Sequence, residues 1–349
     1  MTNILVSGRI LQYNSSVGVA SVYVPMPVFQ AFPTEYAPFQ KERAYGHKGR
    51  AVMKKHIYGV GALVLLLFSG ALFLFSPSVP PEAPHPRQIL SGERSELDQA
   101  LLDQGVVEVR YTGREDRKLK VQITQPDGSD YNYDLNNAGN WETYPLTLGN
   151  GTYTVKLLEH IEGERYVIRD AYPLELTLAA PLSPFLRPNQ IVSYAPNGQA
   201  AALAGQVAAL GENDLARVEL LFDYVAEHVR YDYGKSASVA PGYLPDVEKT
   251  LAQGKGICFD YAALLCAMVR SQGIPCRLVT GNAIDGGTQL YHAWVEVWCQ
   301  TGGTVDGVIP VTAEAWSRLD PTFVSSGERS RDILDFVSDD ENYEPMFYY

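Results

Sequence analysis

Three side chains in the last third of the chain have the chemistry to open an amide bond together: Cys258, His292 and Asp320. A thiolate is the attacking form of cysteine, an imidazole can take its proton, and a carboxylate on the other ring nitrogen fixes the tautomer. Cys258 lies in GKGICFDYAALLCAMVRSQG, a glycine-flanked turn running into a helix that places Ala262, Leu265, Cys266 and Val269 toward a core. At a helix start the unpaired N–H groups and the positive end of the dipole favour a thiolate and can receive a developing oxyanion. A free cysteine is more often a small buried hydrophobe, but this one stands before the apolar stripe begins.

His292 opens HAWVEVW, where alternation puts His292, Trp294, Glu296 and Trp298 on one strand face and Ala293, Val295, Val297 and Cys299 on the other. Alone it reads as structural; its weight comes from combination, because a base can lie far from its nucleophile in sequence. Asp320 ends SRLD before Pro321, which stops regular pairing. It reads either as a turn residue or as the acceptor of the imidazole N–H, one strand beyond the histidine. Tyr231 and Tyr233 in HVRYDY are, with the Cys258 backbone, the candidates for an oxyanion donor, although packing explains them equally well. The chain has no C-x-x-C or H-x-x-x-H pair, so neither a metal nor another cofactor is expected. Cys276 and Cys299 fall on neighbouring strands, which leaves a disulfide open in an exported chain.

Those residues need elements to hold them. Residues 214–231 carry Val218, Leu221, Phe222, Val225 and Val229 on one helical face, and 256–272 form a second helix. Strands are expected at 276–281, at 292–298 and around 318–320, making residues 181–325 an α+β domain with segregated layers. Upstream, 91–102 reads as one short helix. From 106 to 178 short alternating runs separated by turns such as Pro126-Asp-Gly-Ser give an antiparallel β domain, spanning 91–180 and spaced like an immunoglobulin-like sandwich. Residues 326–349 either add a last strand to the catalytic sheet or hang free.

With its cysteine at a helix start, histidine at a strand start and aspartate on a following strand, the chain resembles the transglutaminase-like superfamily. The matching pieces are GKGICFDYAALLCAMVRSQGIPCRLVTG, YHAWVEVW and LDPTF, with HVRYDY upstream, covering about residues 185–325. The resemblance implies a papain-like fold and acyl transfer through a thioester. Cys258 would attack an amide carbonyl, His292 would protonate the departing nitrogen, and water or an amine would resolve the acyl-enzyme. The fold class expected is therefore α+β, a papain-like transglutaminase core preceded by an immunoglobulin-like sandwich and one N-terminal transmembrane helix. The alternative function is a non-catalytic surface module that keeps this fold for binding.

Charge and hydropathy set the location. The chain has 349 residues and a net charge of -12; residues 1–56 hold seven Lys/Arg against two Glu, so the remainder carries -17. That acidic bulk repels phosphate backbones, and nucleic acid is not an expected partner. Gly59 to Phe75 (GVGALVLLLFSGALFLF) is uncharged, and residues 57–76 read as a membrane anchor preceded by Lys48, Arg50, Lys54 and Lys55. Positive charge on that side puts the catalytic domain outside the cytoplasm, where a peptide or protein substrate would meet it. A signal sequence starting at Met53 is the competing reading and would release the domain. Residues 1–56 are then a cytoplasmic tail, or residues 1–52 precede the true start, and 77–90 form a Pro-rich linker.

Overall fold

The computed structural model describes residues 86–327 and 329–349, together with the backbone of residues 2–6, 9–14 and 19–23. The segment 57–76 lies outside the described residues, and among the described residues no helix is long and apolar enough to cross a membrane.

The first part of the chain is all β. Three strands, β1 (Thr2–Val6), β2 (Arg9–Asn14) and β3 (Val19–Tyr23), are followed by β4 (Ile89–Ser91), β5 (Ser95–Asp98), β6 (Val106–Tyr111) and β7 (Leu119–Thr124). The series ends with β8 (Asp130–Leu135), β9 (Glu142–Pro145), β10 (Gly151–Glu162) and β11 (Arg165–Leu176). They form two antiparallel sheets, ordered β1-β2-β3-β11-β10-β7-β8 and β4-β5-β6-β9. Leu97 and Val109 from one sheet and Val121, Val155 and Leu174 from the other belong to one apolar core, as period-two alternation requires.

The short helix expected at 91–102 does not form. Ser95–Asp98 pairs with β6 instead, and only Leu102–Gln104 makes a single 3-10 turn. The reason is tertiary: the Asp170 carboxylate on β11 accepts the backbone N–H groups of Glu93 and Arg94 at 2.7 and 2.9 Å and the Ser95 hydroxyl at 2.7 Å. Those bonds stabilise a tight turn at the residues that resemble a helix start. Strand β4 also begins inside the segment assigned to the linker.

The second part is α+β. Helices α1 (Gln199–Ala208), α2 (Asp214–His228), α3 (Tyr233–Ser238), α4 (Val247–Gln253) and α5 (Cys258–Ser271) come first, with the two-residue strands β12 (Arg230–Tyr231) and β13 (Lys255–Gly256) between them. The sheet follows as β14 (Cys276–Asp285), β15 (Thr288–Trp298) and, after a small hairpin of β16 (Gly303–Val305) and β17 (Ile309–Val311), β18 (Trp316–Leu319). Two helices, α6 (Pro321–Ser326) and α7 (Arg331–Ser338), precede a last strand, β19 (Tyr343–Tyr348). Helix α5 is buried along its length and packs on β14 and β15, so its middle turns are apolar, while the buried Arg270 in its last turn donates to the carbonyls of Cys276, Arg187 and Tyr349.

The C-terminal segment supplies that last strand. The sheet runs β18-β15-β14-β19, with β19 antiparallel to β14 from Val279↔Tyr348 to Ala283↔Tyr343. Gly281 makes the close pairing possible: a Cβ there would lie 2.1 Å from the Glu344 carbonyl oxygen. Phe347 and Tyr349 then meet Tyr131 and Tyr133 of β8 edge-on, with ring centroids 5.0 and 6.0 Å apart, which docks the two parts of the chain on one another.

All four cysteines are buried free thiols, so the disulfide left open between Cys276 and Cys299 is not formed. In the β14–β15 ladder Cys276 stands opposite Val297, which leaves Cys299 one pleat beyond it. The Cys266 thiol instead lies 3.3 Å from the Cys276 carbonyl oxygen.

Candidate active site

Cys258 is the first residue of α5, where the leading backbone N–H groups have no partner within the helix. Two distant segments fix this start. The parallel pair β12–β13 sets Tyr231 beside Gly256 and brings HVRYDY alongside the cysteine turn. Behind the turn, Asp260 is fully buried and accepts the Ile257 N–H at 2.8 Å, the reciprocal half of a capping box. The Asp260 carboxylate also binds Lys235 Nζ at 2.6 Å and the Tyr243 hydroxyl. Gly256 leaves room for this: an added Cβ would sit 2.5 Å from Asp260 Cβ.

His292 sits midway along β15, fully buried, with Nε2 2.7 Å from Asp320 Oδ2. With Nε2 engaged by Asp320, Nδ1 is the nitrogen left to serve the thiol of Cys258, which also acts on the charge of the imidazole. Burial pushes the imidazole pKa down; the Asp320 charge and hydrogen bond, joined by Cys258, outweigh it and hold the pKa up at about 10. The ring is confined by Phe323, 4.6 Å away between centroids, and by Trp294 stacked at 6.3 Å.

Asp320 follows β18 and caps α6. Its Oδ1 accepts the N–H groups of Thr322 and Phe323 at 3.0 and 3.2 Å, as an N-cap carboxylate does, and Pro321 takes the first helical position. Its Oδ2 takes both the His292 proton and the hydroxyl of Tyr343 at 2.9 Å. A carboxylate with both oxygens engaged cannot rotate away from the imidazole.

The structure thus brings Cys258, His292 and Asp320 together from α5, β15 and the β18–α6 junction. Tyr231 is half-buried near Cys258, its hydroxyl 3.2 Å from Ser236 Oγ; burial, with the Cys258 charge second, raises its phenol pKa. Tyr233 opens α3, is 47 % exposed, and touches Tyr231 edge-on at 5.0 Å, so it stands farther out than its neighbour. Sequence reasoning did not single out Asp260, Lys235, Tyr243, Tyr291 or Tyr343. Tyr291 adjoins His292, and its phenol is raised by burial and by Cys258. For Asp260 a signal existed, an acidic residue at the third helical position. For Tyr343 there was none, because its partner is 23 residues away across the sheet.

Residues 201–321 form a transglutaminase-like domain: they match the model of the Transglutaminase-like superfamily. That segment begins in α1 and ends at the start of α6, and it contains the cysteine, histidine and aspartate. Among solved structures the chain is similar to a candidate cysteine protease from Cytophaga hutchinsonii, at 17% identity over 75% of this chain and 73% of that one, with a TM-score of 0.36. It is also similar to a candidate protease from Parabacteroides distasonis, at 12% identity over 63% of each chain and a TM-score of 0.24. A third is red sea bream transglutaminase, at 14% identity over 62% of this chain and 47% of that one, TM-score 0.28. No curated protein sequence matches the chain.

Proposed function

We propose that the chain is a thiol-dependent acyl-transfer enzyme that opens peptide or protein amides through Cys258, His292 and Asp320. The observation that carries the reading is the buried His292–Asp320 bond of 2.7 Å, with Cys258 at the start of α5 acting on the same imidazole. Cys258 Sγ, its proton already passed to His292, attacks the amide carbonyl carbon. The α5 N-terminus and the Tyr231 hydroxyl receive the oxyanion. As the tetrahedral species collapses, the C–N bond breaks, His292 delivers its proton to the departing nitrogen, and a thioester remains. Water or a primary amine then attacks the thioester, releasing an acid or a new amide and returning the proton to Cys258. The β domain, read as an immunoglobulin-like sandwich, lifts or presents this site.

The test offers the full-length protein a peptide mixture with and without a tagged primary amine, read by mass spectrometry. Cleaved or deamidated products report hydrolysis; tag incorporation reports transfer. Cys258→Ala is expected to abolish both. Turnover retained by Cys258→Ala would overturn the reading.

We also propose that residues 57–76 anchor the protein in a membrane with this site outside the cytoplasm, supported by the apolar run and the basic residues before it. A single crossing there excludes the β3–β11 pairing of Tyr23, Val22 and Ser21 with Arg165, Tyr166 and Val167, because the two strands would lie on opposite sides. A start at Met53 removes the conflict by removing β1–β3.

A further inference from the structure

The geometry assigns Tyr343 as a positioning residue of the same site, a fourth member that sets how strongly Asp320 holds the imidazole; the inference rests on the acyl-transfer reading. Tyr343 lies outside the matched segment 201–321, on the strand at the far edge of the sheet from β18. Its hydroxyl donates to Asp320 Oδ2 at 2.9 Å, the oxygen that takes the His292 proton at 2.7 Å. Two donors therefore share one carboxylate oxygen in a buried site, where neither bond is offset by water.

Tyr343 is 6 % exposed, and its ring is seated on three sides. Arg318 of β18 lies 4.1 Å from the ring centroid, Trp294 of β15 meets it edge-on at 5.0 Å, and Phe336 of α7 lies 5.8 Å away. Arg318 is in turn fixed to the Val337 carbonyl at 2.9 and 3.1 Å and to Asp340 at 3.0 Å. A side chain held this firmly delivers its hydroxyl to one place. Burial first, and the Asp320 charge after it, raise the phenol pKa well above its usual value, so the hydroxyl remains a donor wherever the enzyme works.

The consequence follows from charge sharing. Each hydrogen bond into Asp320 Oδ2 withdraws part of the negative charge that stabilises the imidazolium. Without the Tyr343 hydroxyl the carboxylate pulls harder on the His292 proton, and it also loses one of the bonds that orient it. The charged and titratable groups packed around the imidazole are Cys258 on α5, Asp320 after β18 and Tyr343 on β19, with Arg318 behind the tyrosine ring.

The experiment needs no known substrate. Iodoacetamide alkylation of Cys258 is followed by peptide mass spectrometry from pH 4 to 11 in the intact protein, with Cys258→Ala as the blank; the upper step of the rate profile reports the loss of the His292 proton. Tyr343→Phe, checked for native folding by near-UV circular dichroism, is expected to move that step upward. 3-Fluorotyrosine at position 343, a stronger donor, is expected to move it downward, and supplies the reading if the phenylalanine variant does not fold. In turnover assays Tyr343→Phe should lower kcat about tenfold, the equivalent of one hydrogen bond to a charged group, with KM unchanged. A profile that stays in place in both variants, with only thermal stability altered, would sink the positioning role. If the wild-type cysteine shows no coupled step at all, it is the acyl-transfer reading that fails.

Discussion

At the scale of single residues, His292 is subject to opposed effects, and the larger sum decides its state. Full burial disfavours the imidazolium, yet the carboxylate of Asp320 and the neighbouring Cys258 keep it protonated up to about 10. The sign for stability follows directly. A group whose folded pKa is raised from 6.5 to about 10 contributes stability that is whole below pH 6.5 and is lost as pH rises through about 10. The urea midpoint is therefore expected to fall between those limits. Asp320→Asn, which removes the charge and keeps the shape, should flatten that slope and eliminate turnover at neutral pH. An unchanged slope in the variant would mean that some other group carries the pH dependence.

At the scale of elements, the start of α5 is the part that has to be rigid, and Asp260 is what makes it so. It caps the helix from within, binds Lys235 on α3 and reaches Tyr243 on the loop before α4, tying three segments to the turn that presents Cys258. Asp260→Ala leaves the Ile257 N–H without that acceptor and strips Lys235 of its partner, at a cost of about 3 kcal/mol. Urea unfolding of the variant measures it. Because the helix is apolar through its middle turns, packed on β14 and β15 and tied down at its end by Arg270, it should persist while its first turn loosens, so turnover is expected to fall by more than the loss of folded protein accounts for.

For the whole molecule, the β domain and the transglutaminase-like domain are joined by the C-terminal strand, whose Phe347 and Tyr349 reach Tyr131 and Tyr133 while Tyr343 bonds Asp320. The same strand therefore touches both the domain interface and the site. Reporter fusions placed before residue 48 and after residue 90 of the membrane-inserted protein are expected to report opposite sides. Reporters on one side would overturn the crossing and favour the β3–β11 pairing, whereas release of the C-terminal part would report cleavage at the apolar segment.

What the sequence determined by itself was local or periodic. Alternation announced the strands of 106–178 and of β15, and the 3.6-residue stripe announced α2 and α5, because burial repeats with the geometry of each element. Cys258, His292 and Asp320 were legible as candidates from residue type, helix start and strand order, although His292 falls within β15 and not at its start, because the strand begins at Thr288. The tertiary structure decided the rest. It turned Ser95–Asp98 into a strand through the Asp170 carboxylate, kept Cys276 and Cys299 apart by one pleat, and put Tyr343 on Asp320. Each of these depends on a partner many residues away, whose position exists only once the sheets are paired; no spacing in the sequence encodes a distance across a sheet.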